Sequence, residues 1–276
     1  MDIIRFAVLG LGSGAIYALL AQGLVLIYRG SGILNFAQGA VAMAGAYVYY
    51  EGAVRHGFSG LISAAIALVC CAALGAAIHL LILRPMARTS PLLRVIATLA
   101  IMITLQAVAF LRYGHDPLPV PSLLPTDSVR LFRDDLAIGR DQLYFLVISG
   151  VLTVVLTVVY RQTSFGRITT SVAENEVIAA SLGHSPDKIA AANWMLGSVL
   201  AGMAGILIAP LLYLEPTTLV LLVLPAMGAA LLGQFASFPI TFLVAVALGV
   251  ASSEVSRFVP QPGWAVAAPF ILVVVV

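Results

Sequence analysis

The chain has 276 residues, of which 61% are hydrophobic and 9% charged, with a mean hydropathy of +1.07; a soluble domain is about 25% charged, so a water-soluble globule and a disordered chain are both excluded. Fourteen Lys and Arg against twelve Asp and Glu leave a net charge of +2, with no basic excess for binding nucleic acid. Cys70 and Cys71, adjacent in an apolar run, read as small packing residues rather than as a metal site or a disulfide framework.

The charges fall between eight charge-free runs, over 6–28, 30–50, 57–83, 95–111, 142–160, 189–214, 216–253 and 258–276. A bilayer core needs about 20 apolar residues as a helix, so the fold class is all-α, a polytopic transmembrane bundle of about eight to nine spans in a single transmembrane domain over 1–276. The first run continues too far, behind Asp2, for a cleaved signal peptide and reads as a span. In that run and the next, from Gly10 to Tyr50, eight glycines invite close helix approach, Gly10 and Gly14 as a GxxxG pair. Asn35 and Gln38 lie three apart and share a helix face. Polar amides at membrane depth face protein or water, so they form either an interhelical hydrogen-bond pair or, with Phe36 and Gly39, the lining of a substrate path near a helix irregularity at Gly30–Gly32.

Orientation follows from the short loop RPMARTSPLLR, Arg84 to Arg94, with three Arg and no acid; by the positive-inside rule it is cytoplasmic. The N-terminus and the 112–141 loop, with its prolines at 117, 119, 121 and 125, are then external. That loop reads as an irregular cap, either a connector or a docking site for an external partner. His79, close to Arg84, reads as a polar residue at a helix end.

The 161–188 segment is cytoplasmic in this topology. Ser171 and Glu174 form a capping box, Glu174 and Glu176 suit the positive end of a short helix over Val172–Leu182, and Gly183 ends it. Ser185 and Pro186 open the next span. The segment is either an interfacial loop or a docking helix for a cytoplasmic partner, about 16 Å long at 1.5 Å per residue. In 216–253, too long for one span, Pro225 and Pro239 indicate a broken, hairpin-like or re-entrant pair. Glu254 and Arg257 read as a helix-end pair. After Pro260-Gln261-Pro262-Gly263, the twelve apolar residues from Ala265 to Val276 are too few to span, and the end in FILVVVV reads as a truncated span in a fragment or in the first part of a longer polypeptide.

Three strings then carry a resemblance. IYALLAQGLVLIYRGSGILNFAQGAVAMAGAY from Ile16, TSFG from Thr163 with AENEVIAASLG from Ala173, and GSVLAGMAGILIAP from Gly197 resemble, in order, motifs of the permease subunits of bacterial branched-chain amino-acid ATP-binding-cassette importers of the LivH type. The resemblance covers nearly the whole chain. It implies an inner-membrane, multi-pass permease that is not an enzyme. Its partners are a second permease (a homo- or heterodimer), two cytoplasmic ATP-binding subunits and an external solute-binding protein, within membrane lipid. It implies passage of branched-chain or other hydrophobic amino acids, and no cofactor of its own, ATP being bound by the partner subunits. Ala173, Glu174, Glu176, Ala179, Ala180 and Gly183 match the coupling stretch that seats in the ATPase.

Two departures stand out. Thr170 occupies a position where the family carries Arg, with Arg167 nearby as a substitute, and GQFASFPIT from Gly233 replaces a stretch resembling GGxGSxPGA. The only lysine, Lys188, lacks the glycine loop of a Walker motif, so energy comes from another chain. The same importer for an amide, urea or sugar-like solute is the alternative. A secondary transporter or channel is the alternative of another class, weakened by the lack of mid-membrane ionisable groups. An intramembrane enzyme is disfavoured, since HExxH, GxSxG and paired carboxylates are all missing.

Overall fold

The computed structural model describes residues 2–130, 137–258 and 271, without the side chains of 2–5, 128–130, 137, 138 and 176. The Pro260–Gly263 turn and, apart from Ile271, the apolar stretch from Ala265 lie outside the described residues. Helices dominate: α1 (Asp2–Ser31), α2 (Gln38–Tyr50), α3 (Gly60–Ala77), α4 (Pro91–Tyr113), α5 (Arg140–Gln162), α6 (Ser164–Glu174), α7 (Glu176–Ser181), α8 (Pro186–Leu212), α9 (Pro216–Leu221), α10 (Val223–Leu232) and α11 (Phe238–Phe258). Both α2 and α3 run on into π-helical turns, Glu51–Arg55 and Ile78–Leu83. The 112–141 loop, expected to be irregular, contains a short antiparallel pair, β1 (Ser128–Arg130) with β2 (Ala137–Gly139), Val129 facing Ile138.

Among the described residues, six helices are long and apolar enough to cross a membrane: α1, α3 with its π turn, α4, α5, α8 and α11. The remaining two passages are broken. One is α2, which starts inside the bundle; the other is α9–α10, the first part of the split run 216–253. Contacts between chain-distant segments sort the helix ends into two faces. On one face Leu118 bridges to Leu214, Arg112 reaches Glu51, and Ser253 donates to the carbonyl of Phe6. On the other, Arg84 pairs with Asp187 at 3.0 Å and Arg29 donates to the carbonyl of Ala236. The Arg84 loop and the 161–188 segment therefore share a face, opposite the 112–141 loop, as the charge pattern predicts.

α1 is the central post. From Ala15 to Ile27 its apolar side chains, Tyr17 excepted, are at most 2% exposed, and it packs against α5, α8, α10 and α11. Lipid offers helices no hydrophobic driving force toward one another, so small residues that permit close backbone approach carry the packing. Gly10 and Gly14 do this against α11: a Cβ at Gly14 would stand 2.7 Å from the Cα of Val246, and one at Gly10 2.5 Å from the Cα of Val250. Buried Cys71 fills the space left by Gly45 and Gly202, while Cys70 is exposed.

The 161–188 segment corrects one expectation. A single helix over Val172–Leu182 capped by Ser171 does not form. Ser171 sits inside α6 and donates to the carbonyl of Arg167, and Glu174 ends α6. Asn175 breaks the chain: its Oδ1 accepts from the amides of Val177 and Ile178 at 3.0 and 3.1 Å and opens α7. An Asn side chain satisfies the free amides of the following turn and so competes with helix continuation. Gly183, at φ +85°, closes α7 as expected.

Candidate functional site

α1 stops at Ser31 and Gly32, the latter at φ +63°, which places the expected irregularity where Gly30–Gly32 was read. The chain turns back into the bundle without helix, and α2 starts deep inside. Its first residue, Gln38, donates to the carbonyl of Gly197 on α8 at 2.9 Å. At the same level Gly23 approaches Gly197, eight residues or about 12 Å before the end of α1. Non-helical backbone at this depth requires internal partners for its polar groups, and these are supplied locally. The Oδ1 of Asn35 accepts from Ala37 N at 3.0 Å, Phe36 N donates to Thr98 of α4 at 3.2 Å, and Asn35 Nδ2 donates to Gln38 Oε1 at 3.0 Å. Asn35 and Gln38 are buried at 1% and 0% exposure, while Phe36 is half-buried. Gly39 sits directly against the carbonyl of Val220 on α9. The two amides do not share a helix face, since Asn35 precedes α2; they bond to each other locally, and Gln38 alone ties the start of α2 to α8 through its side chain.

The end of α1 lies on the Arg84 face, and so does α7. α7 stands on two flanking elements, α6 and α8, and its apolar residues point outward: Val177 is 75% exposed, Ile178 60%, and Leu182 just beyond it 69%. Ala179 is buried beneath, whereas Ala173, Glu174 and Ala180 are exposed; the side chain of Glu176 lies outside the described residues. A cavity of about 540 Å³ joins this segment to the end of α1, lined among the described residues by Arg29, Gly30, Gly32, Ala173, Glu174 and Gln234. The glycine break and the α6–α7 junction therefore meet, while Asn35 and Gln38 lie deeper and line none of the described cavities.

Arg29 was not singled out by the sequence, and it holds this region together. Its guanidinium donates to Thr170 Oγ1 at 3.1 Å and to the carbonyl of Ala236 at 3.2 Å, and lies over the Tyr160 ring at 4.9 Å. Thr170 thus receives a guanidinium from α1, whereas Arg167 donates back to the carbonyl of Gln162. The signal available in the sequence was a lone charge between two long apolar runs. The loop that Arg29 caps carries Gln234 and Phe235 at φ +56° and +50°, and Gln234 is where the resembled pattern has glycine. His79, in the π-helical end of the third span, is buried and faces Trp194 at 6.4 Å between ring centres. Glu254 and Arg257 do pair, at 3.6 Å. On the face of the 112–141 loop a second cavity, of about 400 Å³, opens between α1, α9, α10 and α11; Ser13, Tyr17, Thr218, Ser252, Ser253 and Ser256 supply its hydroxyl groups.

Residues 6–276 match the family described as branched-chain amino acid transport system, permease component. Similar proteins include the high-affinity branched-chain amino acid transport system permease protein LivH of Escherichia coli K12, 27% identical over 90% of this chain and 84% of the relative. Another is BraD of Pseudomonas aeruginosa, also described as a high-affinity branched-chain amino acid transport system permease protein, 28% identical over 88% and 83%. Among solved structures, PsaBC from Streptococcus pneumoniae in complex with Fab aligns with 97% of this chain and 89% of its own, at a TM-score of 0.52 and 12% identity, a likeness of fold alone.

Proposed function

The chain belongs to the branched-chain amino acid transport permease family, and on that premise we propose that it forms half of the membrane path of an ATP-driven importer for branched-chain and other hydrophobic amino acids. It is a transport component, not an enzyme. In this reading an external solute-binding protein delivers the solute at the 112–141 face, a second permease completes the path, and two ATP-binding subunits dock at the Arg84 face, which is cytoplasmic. The relatives named for the same transport support the solute class.

The observation that carries the reading is α7. Val177, Ile178 and Leu182 expose large apolar side chains on a turn that the Asn175 cap and Gly183 stiffen at both ends. Such a knob on a polar segment marks a protein contact. Ala173, Glu174, Glu176, Ala179, Ala180 and Gly183 make up the element seated in the ATPase. Displacement of α6–α7 by nucleotide-driven closure reaches α1 through Thr170–Arg29, and the start of α8, which follows α7, is tied to the end of the third span through Asp187–Arg84. These are rigid elements joined by directional bonds, the parts a rocking transition needs. Asn35, Phe36, Gln38 and Gly39 serve the path by fixing where α2 begins, so that its tilt follows α1 and α8.

Reconstitution of the chain with its partners in vesicles tests this. Leucine uptake is expected to require ATP hydrolysis, and Ile178→Asp is expected to abolish uptake by uncoupling the ATPase. Uptake that persists without any ATP-binding subunit refutes the importer reading.

A further inference from the structure

The cavity of about 400 Å³ on the 112–141 face lies within the size range of small-molecule sites, roughly 300–1,000 Å³. Its described walls divide by chemistry. Leu212, Leu221, Leu222 and Pro225 are aliphatic, and the rest are hydroxyl groups. Those hydroxyls are nearly all committed as donors. Ser13 donates to the carbonyl of Gly10 at 3.1 Å, Ser252 to Leu248 at 2.8 Å, Ser253 to Phe6 at 2.6 Å and Ser256 to Ser252 at 2.9 Å. Thr218 donates to the Glu215 carboxylate at 2.5 Å. A hydroxyl that has given away its proton keeps its oxygen lone pairs, so what this wall offers a guest is acceptors. A carboxylate stands directly behind it in Glu215, whereas Glu254 and Arg257, paired with each other, add no net charge. The Tyr17 phenol supplies an O–H donor.

We propose that this pocket is the receiving site for the solute and that it selects a small aliphatic primary ammonium zwitterion. The ammonium, with three donors and no acceptor, takes the Ser13, Ser253 and Ser256 oxygens; the aliphatic side chain lies on Leu212, Leu221 and Leu222; Tyr17 meets the carboxylate. The site is at the opposite end of the bundle from α7, where an external carrier hands over its cargo, and the assignment rests on the importer reading above. The Gly10 and Gly14 crossing beside it makes the pocket sensitive to the α1–α11 separation, so movement of α1 changes its width.

Ser13 and Ser256 bond only within their own helices, so their removal breaks no contact between helices. In vesicles holding the complete transporter, with saturating leucine-loaded binding protein, the double variant Ser13→Ala/Ser256→Ala is expected to lower radiolabelled leucine uptake by at least about 10-fold, the scale of one lost hydrogen bond to a charged group. ATP hydrolysis by the same vesicles is expected to fall far less. Ser13→Thr/Ser256→Thr, which keeps the oxygens, is expected to restore uptake. Unchanged uptake in the alanine variant overturns the proposal, and so does an equal fall in uptake and ATP hydrolysis or a failure of threonine to rescue. Lack of ATP-dependent leucine uptake by the native assembly overturns the importer reading, and this site with it; native uptake with insensitive variants overturns the site alone.

Discussion

Adding one methyl group at Gly14 should separate α1 and α11, whose backbones are in close contact. Its Cβ would stand 2.7 Å from Val246 Cα, 2.9 Å from Val246 O and 3.0 Å from Ala245 O. All three are backbone atoms, so no side chain can rotate away. Carbon atoms rest at about 3.5 Å or more, which leaves a deficit of about 0.8 Å that α1 and α11 must make up by moving apart. A gap of that size forfeits roughly a quarter to a half of each pairwise attraction along the crossing, and over-packing of well-packed cores typically costs about 1–3 kcal/mol. We expect Gly14→Ala to destabilise by about 2–3 kcal/mol. The control is Gly150 on α5, where the nearest atom to a new Cβ is Phe242 Cζ at 3.9 Å, an ordinary contact. Gly150→Ala should be neutral or gain up to about 1 kcal/mol from helix propensity. Equilibrium unfolding of the purified protein in mild detergent measures both. If the two variants unfold alike, the close crossing does not carry the packing energy assigned to it.

Three further outcomes follow from named atoms. Gly183→Val places a β-branched residue at φ +85°, where such residues are rarely stable; α7 should lose its end, and leucine uptake should fall while ATP hydrolysis continues, as paired assays on vesicles will show. Arg29→Met removes the bonds to Thr170 and to the Ala236 carbonyl, with an expected loss of about 1–3 kcal/mol in detergent unfolding and weaker coupling of ATP hydrolysis to uptake. Gln234→Gly relieves a left-handed backbone at φ +56° and should raise the unfolding midpoint by roughly 1 kcal/mol equivalent; an unchanged or lower midpoint means that the side chain of Gln234 contributes more than its backbone costs.

Much of the architecture was legible because lipid imposes a simple length rule. Each of the first seven charge-free runs became one passage, or in 216–253 two, and the Arg-rich loop shared its face with the 161–188 segment as the charges required. The Gly30–Gly32 irregularity and the Gly183 stop were also legible, since a left-handed backbone selects glycine. What escaped was whatever depends on competition between local partners. Ser171 and Asn175 both look like helix caps; only the fold decides that Thr163 has already opened a helix through Ser171, leaving the break to Asn175. Arg29 escaped because its partners, Thr170 and Ala236, lie 141 and 207 residues away. The serine-lined cavity escaped because each of its serines, taken singly, is an ordinary helix residue bonded to a backbone carbonyl of its own or an adjacent helix.

The broken start of α2 bears on how the chain is made. Gln38 bonds to a carbonyl that lies 159 residues later in the sequence. At about 5–20 residues per second of synthesis, the amide is made roughly 8–30 seconds before its acceptor exists. Phe36 waits for Thr98, 62 residues after it. During that interval α2, a 13-residue helix headed by two amides, has no complete set of partners with which to settle in hydrocarbon. Its insertion is therefore tied to the arrival of α4 and then of α8. A nascent chain stopped before Gly197 should leave this segment in a wetter place than it finally occupies, at the insertion machinery or the interface.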